Sequence, residues 1–559
     1  MIDYISQKIY KADKNTTVGT INISDYVEKD SFSAKSAWIN VGGWQSWNPG
    51  FEIKPDCEQE KLTCHIIKPF NKYLIFPETE YKTSKHTVLG QFIIYLRWDD
   101  YYLVLASLGN INNTLPPVQF IVHRDKNTID IEICDKGKTW SKEELQAQIE
   151  IFTANNFFEA QDKLEKPFGS SDKNSINYSK RFEQAEYLGN PVIGWESWYN
   201  HYANINEKII EEDLKALKTT KNLITMSEKT DNIIFQIDDG WEKQLGNWDI
   251  NKKKFPKGLK YLSQEISKQN YIPGLWIAPF IIDLRTPIAN EHPNWLLRDF
   301  NGHLISVGFN PLWGANGSFY VLDLSNDEVI EYLDSIMNTI INEWGFRFIK
   351  LDFLYAGMIY GNYKTPDASF KWYSKAINVL TSRKTNNQGE KITYLGCGAP
   401  FELSFKQLPL CRIGCDTYEH WENKLSKALR INGRNSAYLN LKDTIGHALW
   451  NKSVFLNDPD VIFIRTDNCS LSYNEKLLIA TVNLLFGSQI MYSDDPAKST
   501  SEKEQKLAQE ILLIQKRYSV EKFSVKNIDK DKFFIESFSK KFNGIINLGK
   551  NPFIKINEV

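Results

Sequence analysis

Along the first third of the chain, apolar and polar positions alternate with period two. In TIDIEIC, Ile129, Ile131 and Ile133 share one face, and Asp130 and Glu132 the other. That is the pattern of a half-buried antiparallel strand. GQFIIYLRW, YYLVLASLG, VQFIVHR and LQAQIEIFTA read similarly, with the turns LGNINN and DKGK between them. Strands in succession, with no convincing helix, predict a β-sandwich over residues 1–168. The polar run GSSDKNS marks a linker, placed at 169–184.

From about residue 185 short apolar runs alternate with amphipathic stretches. The predicted strands are VIGWESW, IIFQIDD, IPGLWIAP, FRFIKLDF, ITYLGCG, LCRIGCD, SVFLND and SQIMYSDD. NDEVIEYLDSIMNTIINEW is the clearest helix. Ile330, Leu333, Ile336, Met337, Ile340, Ile341 and Trp344 form its apolar stripe. Ser325 with Glu328 reads as its capping box and Gly345 as its stop. Successive βα units fit a central (β/α)8 TIM barrel over 185–500 better than an open doubly wound sheet. No nucleotide-binding glycine motif follows any strand. SEKEQKLAQEILLIQK reads as a barrel-closing helix. FFIESF, GIINLG and FIKIN then predict a small C-terminal antiparallel β domain within 501–559.

A chain of 559 residues is too long for one core, in keeping with a multidomain α/β plus β protein. A net charge of -2 offers no basic footprint for nucleic acid and no pull toward an anionic membrane. The N-terminus lacks an apolar signal region, and no run is long enough to span a bilayer. Seven cysteines are an odd number for a disulfide framework, and Cys411 and Cys415 lack a partner pair at zinc spacing. The expectation is a cytoplasmic protein without metal or cofactor.

Barrel enzymes collect their functional groups at the C-terminal ends of strands. Here those ends carry Asp238, Asp239, Trp276, Lys350, Asp352, Cys397, Arg412, Asp416, Asp458, Asp460, Asp494 and Asp495. Lys350 and Asp352 lie two apart and share a face, so the cation would keep the carboxylate ionised, as a nucleophile requires. A structural Lys–Asp pair is the alternative. Asp416 follows Arg412 by four residues. Burial or a like charge would raise its pKa for general-acid work; a helix N-cap is the bland use of the same residue. Adjacent Asp238 and Asp239 suit neighbouring hydroxyls of a sugar, and a cation site helped by DPD at 458–460 is the competing use. GWQSW at 43–47 and GWESW at 194–198 are near copies, suited either to packing or to a sugar platform.

The ordered set GWESWYN, FQIDDGWE, GLWIAPF, FIKLDFLYAG, LGCGAPF, RIGCDTYEHW, LNDPD and SDD resembles the α-galactosidases of glycoside hydrolase family 36, most closely its shorter bacterial enzymes. The resemblance covers roughly residues 190–500, and GWQSW also has a family counterpart. It implies retaining exo-hydrolysis of terminal α-D-galactosyl residues, as from melibiose or raffinose. Asp352 would be the nucleophile and Asp416 the acid/base, about 5–5.5 Å apart. Asp238 and Asp239 would receive O4 and O6, with Lys350 nearby. Arg412, Cys397 and Gly398 would face the C2 side, and Trp195 and Trp276 would line the galactose pocket. Trp44 or Trp47 would close it from the sandwich, unless that pair is packing. Glu196, Cys415 and Tyr418 depart from the family pattern. A galactosyl transferase of the raffinose or stachyose synthase kind, an α-N-acetylgalactosaminidase and a non-catalytic galactoside-binding protein stand as alternatives. A homo-oligomer is left open.

Overall fold

Phe92 splits what the sequence reads as one strand. Its φ of 64° turns the chain between Thr87–Gln91 and Ile93–Trp98. The computed structural model describes residues 10–11, 16–29, 31–59, 83–108, 116–133, 139–140, 148–165, 182–227, 231–310, 313, 317–429, 434–498 and 500–559. The first half of the split run joins a four-stranded antiparallel sheet with Thr16–Asn22, Thr128–Ile133 and Val118–His123. The second half joins a five-stranded antiparallel sheet with Ile149–Ala154, Tyr101–Ser107, Trp38–Asn40 and Glu52–Ile53. Ile129, Ile131 and Ile133 are fully buried, as the period-two pattern requires, and these sheets make up the predicted sandwich. A helix, Phe157–Glu165, follows, which the all-β expectation did not include. The proposed linker GSSDKNS and the turn DKGK lie outside the described residues.

All eight predicted barrel strands are present: Val192–Glu196, Ile233–Ile237, Tyr271–Ile277, Phe348–Leu351, Thr393–Gly396, Leu410–Arg412, Leu456–Asp458 and Gln489–Tyr492. The first seven pair in parallel in sequence order, and the first also pairs with the eighth. Between the seventh and eighth, the Ser488 amide donates to the Asn457 carbonyl at 2.8 Å, so the sheet curls shut. A short strand, Val461–Ile462, adds to the eighth. Two insertions sit after barrel strands. One is the hairpin Glu242–Gln244 with Asn247–Ile250, and the other a small sheet of Ile281–Ile282, Ser306–Phe309 and Ser318–Val321. They add β structure that a strict βα alternation does not predict.

The long helix runs Asp327–Asn338 and continues as a π-helical turn, Thr339–Glu343. Its N-cap is Asn326, whose side chain accepts from the Glu328 amide. The expected Ser325–Glu328 capping box is therefore corrected. Ser325 Oγ donates to Asp323, and the Glu328 carboxylate accepts from Trp295 Nε1. Gly345, at φ 88°, ends the helix as expected. At the C-terminus the helix Glu502–Tyr518 starts from a Ser501–Glu504 capping box. It leads into four antiparallel strands, Phe523–Asp529, Lys532–Ser537, Phe542–Asn547 and Phe553–Glu558. The first of these went unpredicted, because buried Asn527 breaks the apolar alternation of FSVKNID. Among the described residues, no helix is long and apolar enough to cross a membrane.

Sandwich and barrel meet through a polar pin. The buried Glu402 carboxylate accepts from Ser107 Oγ at 2.5 Å, Gln148 Nε2 at 2.6 Å and the Val118 amide at 3.1 Å.

Candidate active site

The C-terminal mouth of the barrel holds a buried ladder of alternating charge. Asp238 follows the second strand. Its Oδ2 accepts from Lys350 Nζ at 2.9 Å and from Gln236 Nε2 at 2.7 Å, and its Oδ1 accepts from the Asp239 amide at 2.9 Å. Lys350, in the fourth strand, also lies 3.7 Å from Glu196 Oε2 at the end of the first. Burial works against the Lys350 ammonium, but Asp238 and Glu196 outweigh it and hold its pKa above the usual range. Glu196 itself is raised, first by burial, and its Oε1 has no hydrogen-bond partner among the described residues.

Asp352 sits just past the fourth strand. Phe353 takes the left-handed region at φ 53°, and the turn brings its amide back to Asp352 Oδ1 at 2.7 Å. Trp276 Nε1, from the end of the third strand, donates to Oδ2 at 3.0 Å. Two donors thus fix the orientation of this carboxylate. The Lys350–Asp352 pairing read from their spacing is not what forms. Lys350 turns to Asp238 and Glu196, because those two carboxylates flank it across the barrel interior.

Asp416 differs in kind. It hangs beyond the sixth strand, and Arg412 Nη1 reaches its Oδ1 at 3.2 Å. The same guanidinium donates from Nε to Asp458 at 2.9 Å and pairs through Nη2 with Asp460 at 2.7 Å. Burial, then the charges of Asp460 and Asp352, push the Asp416 carboxyl up to about 7, against the pull of Arg412. The DPD segment considered as a cation helper thus turns its two carboxylates on Arg412. Tyr199 Oη also donates to Asp460.

Asp239 is raised well above the ordinary range, by burial and then by the neighbouring Glu242. It accepts from Trp313 Nε1 at 3.1 Å. Trp313 comes from the inserted segment between Ser306–Phe309 and Ser318–Val321 and packs 6.2 Å from Trp276 and 5.5 Å from Phe353. Nothing in NPLWGANG signalled it, because only the crossing of that insertion brings it to the mouth. Cys397 is buried, and Gly398 takes φ 56°.

The two tryptophan clusters part company here. Gly398 donates its amide to Ser46 Oγ at 3.1 Å, and a Cβ on Gly398 would stand 2.6 Å from the Trp47 ring. Trp47 lies at the mouth, 5.4 Å from Phe353 and 5.5 Å from Tyr355. Trp44 is buried, and its carbonyl accepts from the Phe401 amide. Trp195 requires a correction. Glu196 points into the barrel, so its neighbour Trp195 must point out toward the helices. Fully buried, it packs 4.6 Å from Phe235 and donates Nε1 to the Asp494 carbonyl at 2.9 Å. It does not line a pocket at the mouth. Asp494 is likewise engaged elsewhere, accepting from the Ile464 and Arg465 amides at 2.7 and 2.8 Å.

Residues 189–369 match the Melibiase family model. The α-galactosidase Mel36A of Lactobacillus acidophilus is 25% identical over 338 residues, 59% of this chain and 40% of its own length. The α-galactosidase AgaA of Geobacillus stearothermophilus is 28% identical over 168 residues, 29% of this chain and 20% of its own. The chain thus spans less than half the length of these curated relatives. Among solved structures, TtGalA, an α-galactosidase of Thermus thermophilus in complex with p-nitrophenyl α-D-galactopyranoside, superposes with a TM-score of 0.67 at 24% identity, over 90% of both chains. Crystalline AgaA superposes with a TM-score of 0.56 at 13% identity, over 92% of this chain and 66% of its own. These likenesses put the barrel and its flanking antiparallel sheets in one fold with those structures.

Proposed function

We propose that the chain is a retaining α-galactosidase that removes terminal α-D-galactosyl residues from galacto-oligosaccharides. One observation carries the reading: two carboxylates share the barrel mouth in different surroundings. Asp352 is held by two donors, whereas Asp416 is pushed up to about 7 by burial and by its neighbours' charge. Two acids so differently surrounded can divide the labour of glycoside hydrolysis. Asp352 attacks the anomeric carbon as the glycosidic oxygen takes the Asp416 proton. A galactosyl–Asp352 ester forms and the aglycone leaves. Asp416, now ionised, deprotonates a water that cleaves the ester with net retention.

The surrounding groups suit a polyol. Asp238 and Lys350 offer an acceptor and a donor side by side, and Asp239 adds a second acid beside the Trp313 indole. Trp276, Trp313 and Phe353 form an apolar wall, which suits the apolar face of a sugar. Supporting similarity comes from the relatives: a Thermus thermophilus α-galactosidase was solved with stachyose, and the named relatives above are α-galactosidases.

The test is nitrophenol release from an aryl α-D-galactoside by wild type and Asp352→Gly, with and without azide. Turnover by wild type, an inactive variant, and rescue by azide yielding β-galactosyl azide support both the mechanism and the nucleophile. Initial release of β-galactose by wild type, seen by proton NMR, would overturn retention.

A further inference from the structure

The helix Ala437–Gly446 and the residue after it touch two loops from distant parts of the chain. On one side it holds the Asp416 loop. Asn440 Nδ2 donates to the Cys415 carbonyl at 2.7 Å and to the Pro459 carbonyl at 3.1 Å. The Ser436 amide, at the helix N-cap, donates to the Asp416 carbonyl at 3.2 Å. Gly414 approaches so closely that a Cβ there would stand 3.2 Å from Asp443 Cβ.

On the other side the same helix holds the GWQSW loop. Asp443 Oδ1 accepts from the Gly50 amide at 3.1 Å. His447 Nε2 bonds the Gly42 carbonyl at 2.6 Å. Burial pushes that imidazole down to about 4, so at neutral pH it is uncharged and donates its one N–H to Gly42. Asn40 Nδ2 ties the loop to the helix end through the Gly50 and Gly446 carbonyls, at 3.0 and 2.9 Å. Packing allows no slack. A Cβ on Gly50 would fall 1.9 Å from the His447 ring, and one on Gly446 2.3 Å from the Gly50 carbonyl oxygen.

We propose that this helix is a strut that sets Trp47 of the N-terminal sandwich in register with the Asp416 loop of the barrel, with Asp443 and His447 as its positioning residues. Asp443 accepts from Gly50 in one loop while its Cβ faces Gly414 in the other, and the same helix holds that second loop through Asn440, so neither loop is free to shift alone. The sandwich is then a working part of the site, because the loop that places Trp47 is braced by the helix that braces Asp416. The kinetic consequence rests on the α-galactosidase reading; the mechanical one does not.

The mechanical arm is amide hydrogen exchange on the intact chain, comparing wild type with Asp443→Ala and Asp443→Asn. The asparagine keeps an oxygen for the Gly50 amide. Asp443→Ala is expected to speed exchange in residues 40–50 and 413–419 together by about ten-fold, since it orphans the buried Gly50 amide and, through the strut, loosens the second loop with the first. Asp443→Asn is expected to restore both. Acceleration in only one segment, in neither, or uniformly across the chain overturns the coupling. Gly50→Ala, which pushes the same contact from the opposite side, must open the same two segments.

The kinetic arm compares melibiose with a dinitrophenyl α-galactoside. Acid assistance is worth about 10²–10⁴-fold for a poor leaving group and little for an acidic phenol. Asp443→Ala is therefore expected to lower kcat/KM on melibiose by about ten-fold or more, and on the aryl substrate by less than about three-fold. Equal losses on both substrates refute a positioning role for the Asp416 loop. Wild type inactive on both refutes the hydrolase reading, and exchange alone then decides the strut.

Discussion

The indole N–H of Trp276 donates to Asp352 at 3.0 Å, so the third strand directly orients a carboxylate placed by the fourth. With the Phe353 amide on the other oxygen, Asp352 has one rotamer that satisfies both donors. Trp276→Phe keeps the apolar wall and removes one charge-assisted bond, worth roughly 1.5–3 kcal/mol. We expect kcat to fall by about ten- to a hundred-fold with a smaller change in KM. Steady-state kinetics on an aryl α-galactoside check this; unchanged kcat would remove Trp276 from the orientation of Asp352.

Asp416 keeps its proton up to about 7. Turnover of an unactivated galactoside should therefore decline as pH rises through about 7, while Asp416→Asn should abolish that limb. The linkage has a second consequence. A carboxyl raised in the folded state favours folding below its unfolded pKa, and this contribution is lost as pH rises through the folded value. Asp416→Asn should thus raise Tm relative to wild type above pH 7, since Arg412 retains Asp458 and Asp460 as partners. Thermal scans at pH 5 and 8 check the sign.

Lys350 stands between Asp238 and Glu196. Lys350→Met leaves two buried carboxylates facing each other, and removing one partner of a buried pair costs about 3–5 kcal/mol. The variant should melt well below wild type at pH 8 and regain part of the loss at pH 5, where a carboxylate can take up a proton. A pH-independent Tm deficit would argue against charge as the cause.

The two tryptophan clusters make opposite predictions. Trp47→Ala should raise KM, because the ring sits at the mouth against Phe353 and Tyr355. Trp195→Phe should leave KM unchanged and lower stability by about 1 kcal/mol through loss of the bond to the Asp494 carbonyl. A several-fold KM change in Trp195→Phe would restore it to the pocket.

Glu402 gathers three donors from the sandwich. Glu402→Ala strands them, and at about 1–3 kcal/mol for each orphaned group the variant should lose at least about 2 kcal/mol in urea denaturation. Unfolding in two separated transitions would show that this pin joins sandwich to barrel.

Much of this architecture is readable in one dimension. The period-two run from Thr128 to Ile133 and the eight apolar runs, six of them with Asp, Lys, Arg or Cys at their ends, depend only on which face of a strand is wet. That periodicity is local, so the sequence by itself determined the sandwich strands, the barrel and the places where its chemistry emerges. Register and direction across strands are not local. The spacing of Lys350 and Asp352 indicated a pair, yet the first and second strands offered Lys350 two closer carboxylates across the barrel interior. Trp195 looked like a pocket residue until its inward neighbour Glu196 forced it outward. Trp313 carries no marker in its own segment, because an insertion delivers it to the mouth, and GWQSW left open which of Trp44 and Trp47 would reach there. What the tertiary structure alone decided is which charges face one another and how far each carboxyl's pKa moves. Both depend on distances and burial that arise only when remote segments close on the same cavity.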